Sequence, residues 1–264
     1  MSCPNLVAIV QARMGSSRLP GKVLAGIEGA PMLELIVRRV RQAAQIRTVV
    51  VATSVSPSDA PIAALCKQLG TTCFRGSEED VLDRYYRAAQ WIGADVVVRI
   101  TGDCPLIDPS VVGKVVDRYL VGGYDYVSNT CPPTFPDGLD VEAFSFDALE
   151  RSWREARWSS EREHVTSYVR GHPELFRTAN VEHDQDLSTM RWTVDCPRDL
   201  EFVRLVYRHV GKEAFGMAEV LQVLALHPEL VTVNAGMERN EGYRRSIRED
   251  REVENSERRE TPWT

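Results

Sequence analysis

The chain has 264 residues, 43% of them hydrophobic and 27% charged, which is typical of a globular protein with one substantial core. No apolar run approaches the roughly 20 residues that a membrane helix requires, so neither a membrane span nor a membrane partner is expected. With 38 acidic and 32 basic side chains the formal net charge is −6, which argues against nucleic acid as a partner.

The N-terminus does not resemble a signal peptide, because its apolar stretch at residues 6–10 is only long enough for a strand. The six cysteines form no C-x-x-C pair, and the five histidines show no metal-ligand spacing with them. We therefore expect reduced thiols, no zinc site and a cytoplasmic location.

Strand and helix patterns alternate about four times over the first 128 residues. Apolar runs bounded by loop residues predict strands at 6–11, 48–53, 72–74, 95–101 and 124–128. Helical spacing of apolar residues predicts helices at 31–40, 58–69, 81–92 and 109–120. Ser58 or Asp59 is expected to cap the second of these helices. The alternation is typical of an α/β fold with a doubly wound, mostly parallel, Rossmann-like sheet, in which ligands bind at the carboxyl ends of the strands.

The pattern weakens between residues 130 and 183, which we interpret as an inserted α+β subdomain or substrate lid. Later elements are predicted as strands at 141–144 and 190–194 and as helices at 147–158, 161–170, 197–210 and 218–226. We predict one domain over residues 1–245. The dense mixture of charges that follows predicts a flexible tail over residues 246–264.

The loop after the first predicted strand, residues 11–22, is rich in glycine, serine and cations. Glycine and serine leave backbone N–H groups free to face an anion, and Arg13, Arg18 and Lys22 add positive charge. These features predict a polyphosphate-binding loop, although the spacing matches neither G-x-x-x-x-G-K-[ST] nor G-x-G-x-x-G. The alternative is an ordinary surface loop with exposed basic residues.

Two aspartates also follow predicted strands. Asp103 stands after the strand at 95–101, and Asp195 stands after the strand at 190–194. Because Mg²⁺ is usually held by one or two carboxylates together with substrate oxygens, the pair predicts a magnesium site beside bound phosphates. The alternatives are a turn residue for Asp103 and a helix N-cap for Asp195, the role that we also expect for Asp108.

Four segments carry a resemblance to a known family. They are residues 11–22 (QARMGSSRLPGK), 75–85 (RGSEEDVLDRY), 101–108 (TGDCPLID) and 193–201 (TVDCPRDLE). These segments are similar to those of the sugar-activating cytidylyltransferases, including the 3-deoxy-manno-octulosonate and acylneuraminate enzymes, and most of all to the branch of the spore coat polysaccharide biosynthesis protein SpsF. The resemblance extends over about residues 5–245, and the first segment is its most specific part.

The resemblance implies a Mg²⁺-dependent nucleotidyltransferase, an enzyme that transfers CMP from CTP and releases pyrophosphate. The acceptor would be a sugar acid, a sugar phosphate or a related anion, and the pathway would be surface-polysaccharide or glycoconjugate biosynthesis. The family also implies a homodimer, with the segment 130–183 at the interface. Carried over position by position, the nucleotide-binding residues are Gln11, Ala12, Arg13, Gly15, Ser16, Arg75, Arg84 and Thr101. The catalytic residues are Arg18, Lys22 and Asp103, and the metal ligands are Asp103 and Asp195.

The middle of the chain departs from the octulosonate enzymes. Gly-Asp-Cys-Pro replaces their Gly-Asp-Glu-Pro, and their histidine-containing sugar loop is absent. Asp140, Glu142, Glu163 and His164 instead resemble the acceptor-side residues of the SpsF branch, and an exposed helix face is the alternative for the last two. If the acceptor attacks through a hydroxyl group, that group must lose its proton, and metal coordination, Glu163 or His164 are the candidates for bringing this about.

Two other functions remain open at this point. A glycosyltransferase of the related nucleotide-sugar fold would use Asp184 and Asp186 as a D-x-D metal site. A non-catalytic nucleotide-binding subunit would bind a nucleotide without turnover.

Overall fold

The computed structural model describes residues 4–212 and 214–253. Its strands are β1 (Leu6–Gln11), β2 (Gly26–Ile27), β3 (Ala30–Pro31), β4 (Thr48–Ser54), β5 (Thr72–Gly76), β6 (Val96–Thr101), β7 (Tyr126–Ser128), β8 (Glu142–Ser145) and β9 (Thr178–Asn180). Its helices are α1 (Met32–Arg41), α2 (Ala60–Gln68), α3 (Val81–Ile92), α4 (Pro109–Leu120), α5 (Phe146–Glu155), α6 (Ser159–Glu163), α7 (Ser167–Gly171), α8 (Pro197–Val210), α9 (Met217–Leu226) and α10 (Glu241–Arg248).

Seven of these strands form one sheet in the order β5-β4-β1-β6-β8-β7-β9. The first four strands of that order are mutually parallel, β8 is antiparallel to both of its neighbours, and β9 is parallel to β7. Helices cover both faces of the sheet. The predicted α/β fold with a mostly parallel, doubly wound sheet is therefore confirmed.

The apolar runs of the central strands are continuous because both faces of the sheet are buried. In β1, Val7 and Ile9 pack into the core under α3, α5 and α7, whereas Ala8 and Val10 pack into the core under α1, α2, α4, α8 and α9. All four side chains are inaccessible to solvent. Burial of this kind stabilises the fold by about 25 cal/mol per Å² of apolar surface.

The segment 130–183 adds strands β8 and β9 to the central sheet rather than forming a sheet of its own. The predicted helix at 161–170 is wrong in one respect, because the structure has two short helices there, α6 and α7. Val165 lies between them with a φ of 56°, a left-handed conformation that interrupts helical hydrogen bonding.

The predicted strand at 190–194 is also wrong, since only an isolated bridge occurs there. Its backbone N–H groups bond to loops instead of to a neighbouring strand. The N–H of Trp192 donates to the carbonyl of Asp137 at 2.6 Å, and the N–H of Val194 donates to the carbonyl of Asp103 at 2.8 Å. The alternation of apolar residues in this segment therefore indicates that the side chains are buried, but it does not indicate that the backbone pairs with another strand.

The C-terminal strap, residues 237–253, includes the first part of the predicted tail, residues 246–253. After α10 the chain docks on the start of α6, where the carboxylate of Asp250 accepts hydrogen bonds from the hydroxyls of Ser159 and Ser160 at 2.8 and 2.7 Å. The rest of the predicted tail, residues 254–264, lies outside the described residues. Across residues 4–212 and 214–253, no helix combines the length and the apolar character needed to cross a membrane.

Candidate active site

The floor of the site forms where β1 and β6 end side by side. Gln11 and Thr101 are paired in register, and Gly102 follows against the carbonyl oxygen of Gln11. A Cβ atom at position 102 would lie 2.5 Å from that oxygen, so only glycine fits there without a shift of the backbone. This close approach brings Asp103 beside the loop that follows β1.

Lys22 joins the two aspartates that were predicted to bind metal. Its Nζ donates to Oδ2 of Asp103 at 3.2 Å, to Oδ1 of Asp195 at 2.9 Å and to the carbonyl of Val194 at 2.7 Å. Burial acts to lower the pKa of Lys22, but the charges of both aspartates outweigh burial and raise it, so the ammonium stays charged. Burial also disfavours ionised Asp103, whose pKa is nevertheless lowered by the charge of Lys22. Two carboxylates and one ammonium from three distant segments thus meet at one point.

Asp195 is held from its other side by two arginines. Arg191 donates to Oδ2 of Asp195 at 2.9 Å and to both oxygens of Asp199 at 2.9 and 3.0 Å. Arg18 forms an ion pair with the same oxygen of Asp195 at 3.0 Å. The N-cap residue of α8 is Cys196, and its backbone N–H donates to the carboxylate of Asp199 in the first turn at 3.0 Å. Asp195 is therefore not the N-cap of α8, which was the alternative to its role as a metal ligand. Asp108, by contrast, does cap α4 as predicted.

Asp59 fixes the loop after β1, a role that the sequence did not reveal. Its carboxylate accepts from the backbone N–H of Met14 at 2.7 Å, from the hydroxyl of Thr53 at 3.1 Å and from the hydroxyl of Ser54 at 2.5 Å. Its side chain makes no capping bond to α2. Asp59 thus ties the loop to the carboxyl end of β4.

A cleft of about 340 Å³ opens above this floor. Most residues that were assigned to the site from the sequence line it, namely Gln11, Ala12, Arg13, Ser16, Arg18, Lys22, Arg84, Thr101, Asp103, Asp140, Glu142, Glu163, His164 and Asp195. Gly15 and Arg75 do not line it. Arg75 donates to the carbonyls of Ser54 and Ser56 at 3.0 and 2.9 Å, so its guanidinium holds the connection between β4 and α2.

Four cleft residues, Gln11, Arg84, Arg99 and Arg170, keep buried polar atoms without a partner among the described residues, and the first two lie on the side of the loop after β1. Nε of Arg84 makes no hydrogen bond there, although Nη1 donates to the carbonyl of Ser77 at 2.5 Å. Burial lowers the pKa of Arg84 to about 10, so the side chain is still charged at neutral pH. Oε1 of Gln11 is likewise buried and unpaired. Because such atoms are costly, both point to a place for a polar ligand.

The carboxylate of Glu142 is occupied by contacts with other residues of the protein. Its carboxylate accepts from the hydroxyls of Tyr126 and Thr166, each at 2.6 Å, and forms an ion pair with Arg99. Burial acts to raise the pKa of Glu142, but the charges of Arg99 and Arg170 and the hydrogen bonds from Thr166 and Tyr126 together lower it to about 2. Glu142 therefore orients Arg99 at the edge of the cleft and has few lone pairs left for an acceptor.

The other predicted acceptor-side residues contact the C-terminal strap. Oδ1 of Asp140 accepts from Arg239 at 2.5 Å, and the hydroxyl of Ser246 donates to Glu163 at 2.7 Å. Nε2 of His164 lies 3.0 Å from that same hydroxyl. The strap thus closes the side of the cleft that the sequence assigned to the acceptor.

The strap supplies cleft residues that sequence analysis missed. Glu241 pairs with Arg18 at 2.7 Å, and the ring of Tyr243 lies edge-on against His164 with centroids 4.9 Å apart. No residue of α10 is buried, so the segment carries no apolar pattern that could have revealed its position. Arg99, Arg170 and Arg191 also line the cleft, and they too were missed because their elements predicted only packing.

The donor set around Lys22 suits a hard divalent cation. Oδ2 of Asp103 and Oδ1 of Asp195 both accept a hydrogen bond from Nζ of Lys22. The distance between these two oxygens therefore cannot exceed the sum of the two hydrogen-bond lengths. Within the ranges that the structure describes, no group of three or more His, Cys, Asp or Glu side chains is arranged to hold a metal. A two-carboxylate set fits Mg²⁺, which completes its shell with substrate oxygens and water.

The D-x-D pair lies elsewhere. Asp184 and Asp186 are exposed and do not line the cleft, and Asp186 accepts from the backbone N–H of Ser188 at 2.9 Å. This pair therefore has no place in the site built around Lys22.

Known proteins share both the sequence and the architecture of this chain. A family model described as Cytidylyltransferase matches residues 7–226. The spore coat polysaccharide biosynthesis protein SpsF of Bacillus subtilis is 32% identical over 241 residues, which cover 86% of this chain and 97% of that protein.

Two solved structures extend this likeness to three dimensions. A cytidylyltransferase from Leptospira borgpetersenii serovar Hardjo-bovis is 30% identical, with a TM-score of 0.85 over 90% of this chain and all of that one. A CMP:2-keto-3-deoxy-manno-octonic acid synthetase complexed with CTP is 22% identical, with a TM-score of 0.59 over 77% of this chain and 98% of that one, and it shares the fold.

Proposed function

The chain belongs to the cytidylyltransferase family and is a nucleotidyltransferase, and on that premise we propose that it transfers CMP from CTP to an anionic, sugar-like acceptor and releases pyrophosphate. The observation that carries the proposal is the contact of Lys22 with Asp103 and Asp195, beside a cationic loop at the ends of parallel strands. Surface-polysaccharide or glycoconjugate biosynthesis is the proposed setting.

The proposed reaction is an in-line displacement at the α-phosphorus of CTP. A bond forms between an acceptor oxygen and the α-phosphorus, while the bond from that phosphorus to the bridging oxygen breaks. The electron pair of the broken bond leaves with pyrophosphate. Such chemistry depends mainly on positioning and on stabilising charge, so no covalent intermediate on the protein is needed.

The cations of the cleft suit the phosphates. Arg13 and Arg18 belong to the loop after β1, and Lys22 ends it, so three positive groups face one region where negative charge grows on the leaving group. Arg84 faces the same cleft with an unpaired, buried Nε. We assign Lys22 to the charge that passes to pyrophosphate, and the arginines to binding and orienting the triphosphate.

Asp103 and Asp195 are the residues that would hold Mg²⁺. When bound there, the cation would supply positive charge against the phosphate oxygens. The contributions of this chain are separate from that charge, because Arg191 fixes the orientation of Asp195 and Gly102 fixes the position of Asp103.

A hydroxyl acceptor must also lose a proton, whereas a phosphate or phosphonate acceptor need not. His164 is the candidate base for the hydroxyl case, because it lines the cleft on the acceptor side. Burial lowers its pKa to about 4, so the imidazole is neutral at pH 7 but only weakly basic. Glu163, its neighbour, lies against Ser246 of the strap and is the second candidate.

The test measures binding and turnover separately. Thermal-shift titrations with CTP, GTP, UTP and ATP in the presence of Mg²⁺ are expected to show the largest increase in melting temperature with CTP. Release of pyrophosphate is then assayed with CTP and a panel of sugar acids, sugar phosphates and phosphonates. A larger shift with another nucleotide, or turnover without release of pyrophosphate, would contradict the proposal.

We also propose that the protein forms a homodimer.

A further inference from the structure

Arg170, on α7, is a cleft residue without an ion pair. Among the described residues no carboxylate lies within 4 Å of its guanidinium, and Nε is buried without a hydrogen-bond partner. Its polar contacts are neutral and long, with the hydroxyl of Ser167 at 3.3 Å and the thiol of Cys131 at 4.0 Å. A partly buried guanidinium in this state lacks the direct ion pair and the full set of hydrogen bonds that such groups usually have.

Two other partly buried arginines on this side of the cleft have ion pairs. Arg99 is paired with Glu142, and Arg239 is paired with Asp140 at 2.5 Å. Burial acts to lower the pKa of Arg170, but the acidic groups around it, Glu142 first among them, together raise the pKa. The oxygens of Glu142 are nevertheless taken by Arg99 and by two hydroxyls, so they do not satisfy the N–H groups of Arg170.

Tyr243 of the C-terminal strap covers one face of this guanidinium. The centre of the guanidinium lies 5.1 Å from the centroid of the ring, a cation–π contact. Such stacking occupies the face of the guanidinium and leaves its N–H edge for a planar or tetrahedral anion. Tyr243 also contacts His164, so the arginine, the ring and the candidate base border the same space.

We propose that Arg170, positioned by Tyr243 of the strap, is the anchor for the anionic group of the acceptor. Its ligand is a carboxylate or a phosphate or phosphonate group, bound through the N–H edge of the guanidinium. This inference rests on the proposed function, and it adds the residue that selects charged acceptors over neutral ones. It also gives the strap, which lies beyond the residues 7–226 that match the family model, a part in acceptor binding.

The experiment uses two small anions as probes, glycolate for a sugar acid and inorganic phosphate for a phosphate or phosphonate. Each is titrated by calorimetry into the full chain with and without saturating CTP and Mg²⁺. Saturation keeps the arginines of the first loop occupied. We expect at least one probe to bind the wild type and Arg170→Gln to weaken that binding at least tenfold. Arg170→Lys keeps the positive charge but loses the two parallel N–H donors of the guanidinium. Its affinity for the anion should lie between that of wild type and that of Arg170→Gln.

The matched control is Arg118, which lies outside the cleft and stacks on Tyr124 with its guanidinium 4.8 Å from the ring centroid. Arg118→Gln should leave anion binding unchanged. Tyr243→Leu alters an unburied helix and so does not endanger folding, and it should weaken the same probe about threefold.

The outcomes separate this inference from the proposed function. Failure of both probes to bind wild type, or equal binding by wild type and Arg170→Gln, overturns the role of Arg170 even if CTP binds. If CTP does not bind, the proposed function fails, and the titrations without nucleotide still decide the role of Arg170. The probe whose binding is weakened by Arg170→Gln identifies the anionic group of the acceptor.

Discussion

At the residue scale, the arrangement around Lys22 explains why two acidic side chains tolerate close approach. The Lys22 side chain is 11% exposed and its ammonium donates to both carboxylates, so each negative charge is compensated in a setting where an unpaired one would be costly. A cation with a higher charge is suited to the same two oxygens. Lys22 itself therefore holds the two carboxylates close together.

Asp103→Asn tests whether this carboxylate belongs to the reaction. The amide keeps the shape but loses the charge, so we expect turnover with CTP to fall at least about a hundredfold. The melting temperature should change little, because Lys22 keeps Asp195 and the carbonyl of Val194 as partners. Asp117→Asn on the exposed side of α4 is the control, and turnover of Asp103→Asn close to that of the control would remove Asp103 from the mechanism.

His164→Gln tests the electrostatics of the acceptor side. Burial lowers the pKa of His164 to about 4, while the charge of Glu163 opposes the shift and those of Arg99 and Arg170 add to it. Between pH 6.5 and pH 4 the unfolded chain therefore binds this proton before the folded chain does. The free energy of unfolding of the wild type should fall by about 3 kcal/mol more than that of the variant over this range.

Chemical denaturation at several pH values measures this difference. Because Gln can still bond to Ser246, the two proteins should have similar stability above pH 7. Parallel pH profiles for wild type and variant would show that His164 does not titrate as expected.

At the element scale, the parallel strands could be predicted because burial on both faces leaves an unbroken apolar run. The segment 6–11 has that run, and its carboxyl end also carries the cationic loop, so the strand and half of the site follow from one stretch. The segment 190–194 alternates apolar and polar residues, which also predicts a strand, but its backbone bonds to loops, and only the tertiary structure reveals this. Local pattern reports burial more directly than it reports hydrogen-bond partners.

The acceptor side could not be predicted to the same extent, because its contacts are polar and distant in sequence. The strap reaches the cleft through Glu241, Tyr243 and Ser246, and α10 buries no apolar residue. A charge-rich sequence of this kind also predicts a solvated tail. The ion pairs that distinguish the two cases depend on residues far away in the chain.

Gly102→Ala tests the close contact between the ends of β1 and β6. The added Cβ would lie 2.5 Å from the carbonyl oxygen of Gln11, so either the strand end or Asp103 must move. We expect a loss of about 1–3 kcal/mol in the free energy of unfolding and a weaker affinity for CTP. Gly171→Ala, where nothing lies within 4 Å of the new Cβ, is the control.

Denaturant melts and CTP titrations on both variants check this prediction. If Gly102→Ala matches Gly171→Ala in stability and in CTP affinity, the backbone contact does not position the site.

At the scale of the whole molecule, the cleft lies between two parts of the protein that have different architectures. The proposed nucleotide side is built on the carboxyl ends of β1 and β6, where parallel strands place loops side by side. The proposed acceptor side is built on antiparallel β8, on α6 and α7, and on the strap.

The proposed homodimer can be tested at Trp158, because the family resemblance assigns the interface to residues 130–183. Trp158 is 48% exposed, and it borders an open cavity of about 530 Å³ beside Tyr168 and His172. Exposed tryptophans are frequent anchors of interfaces, so Trp158→Glu should weaken dimerisation at least about tenfold in sedimentation velocity over a range of concentrations. Trp91→Glu alters a ring that is 46% exposed on α3, outside that segment, and should leave the dimer intact. A monomeric wild type, or equal weakening by both variants, would contradict an interface on this segment.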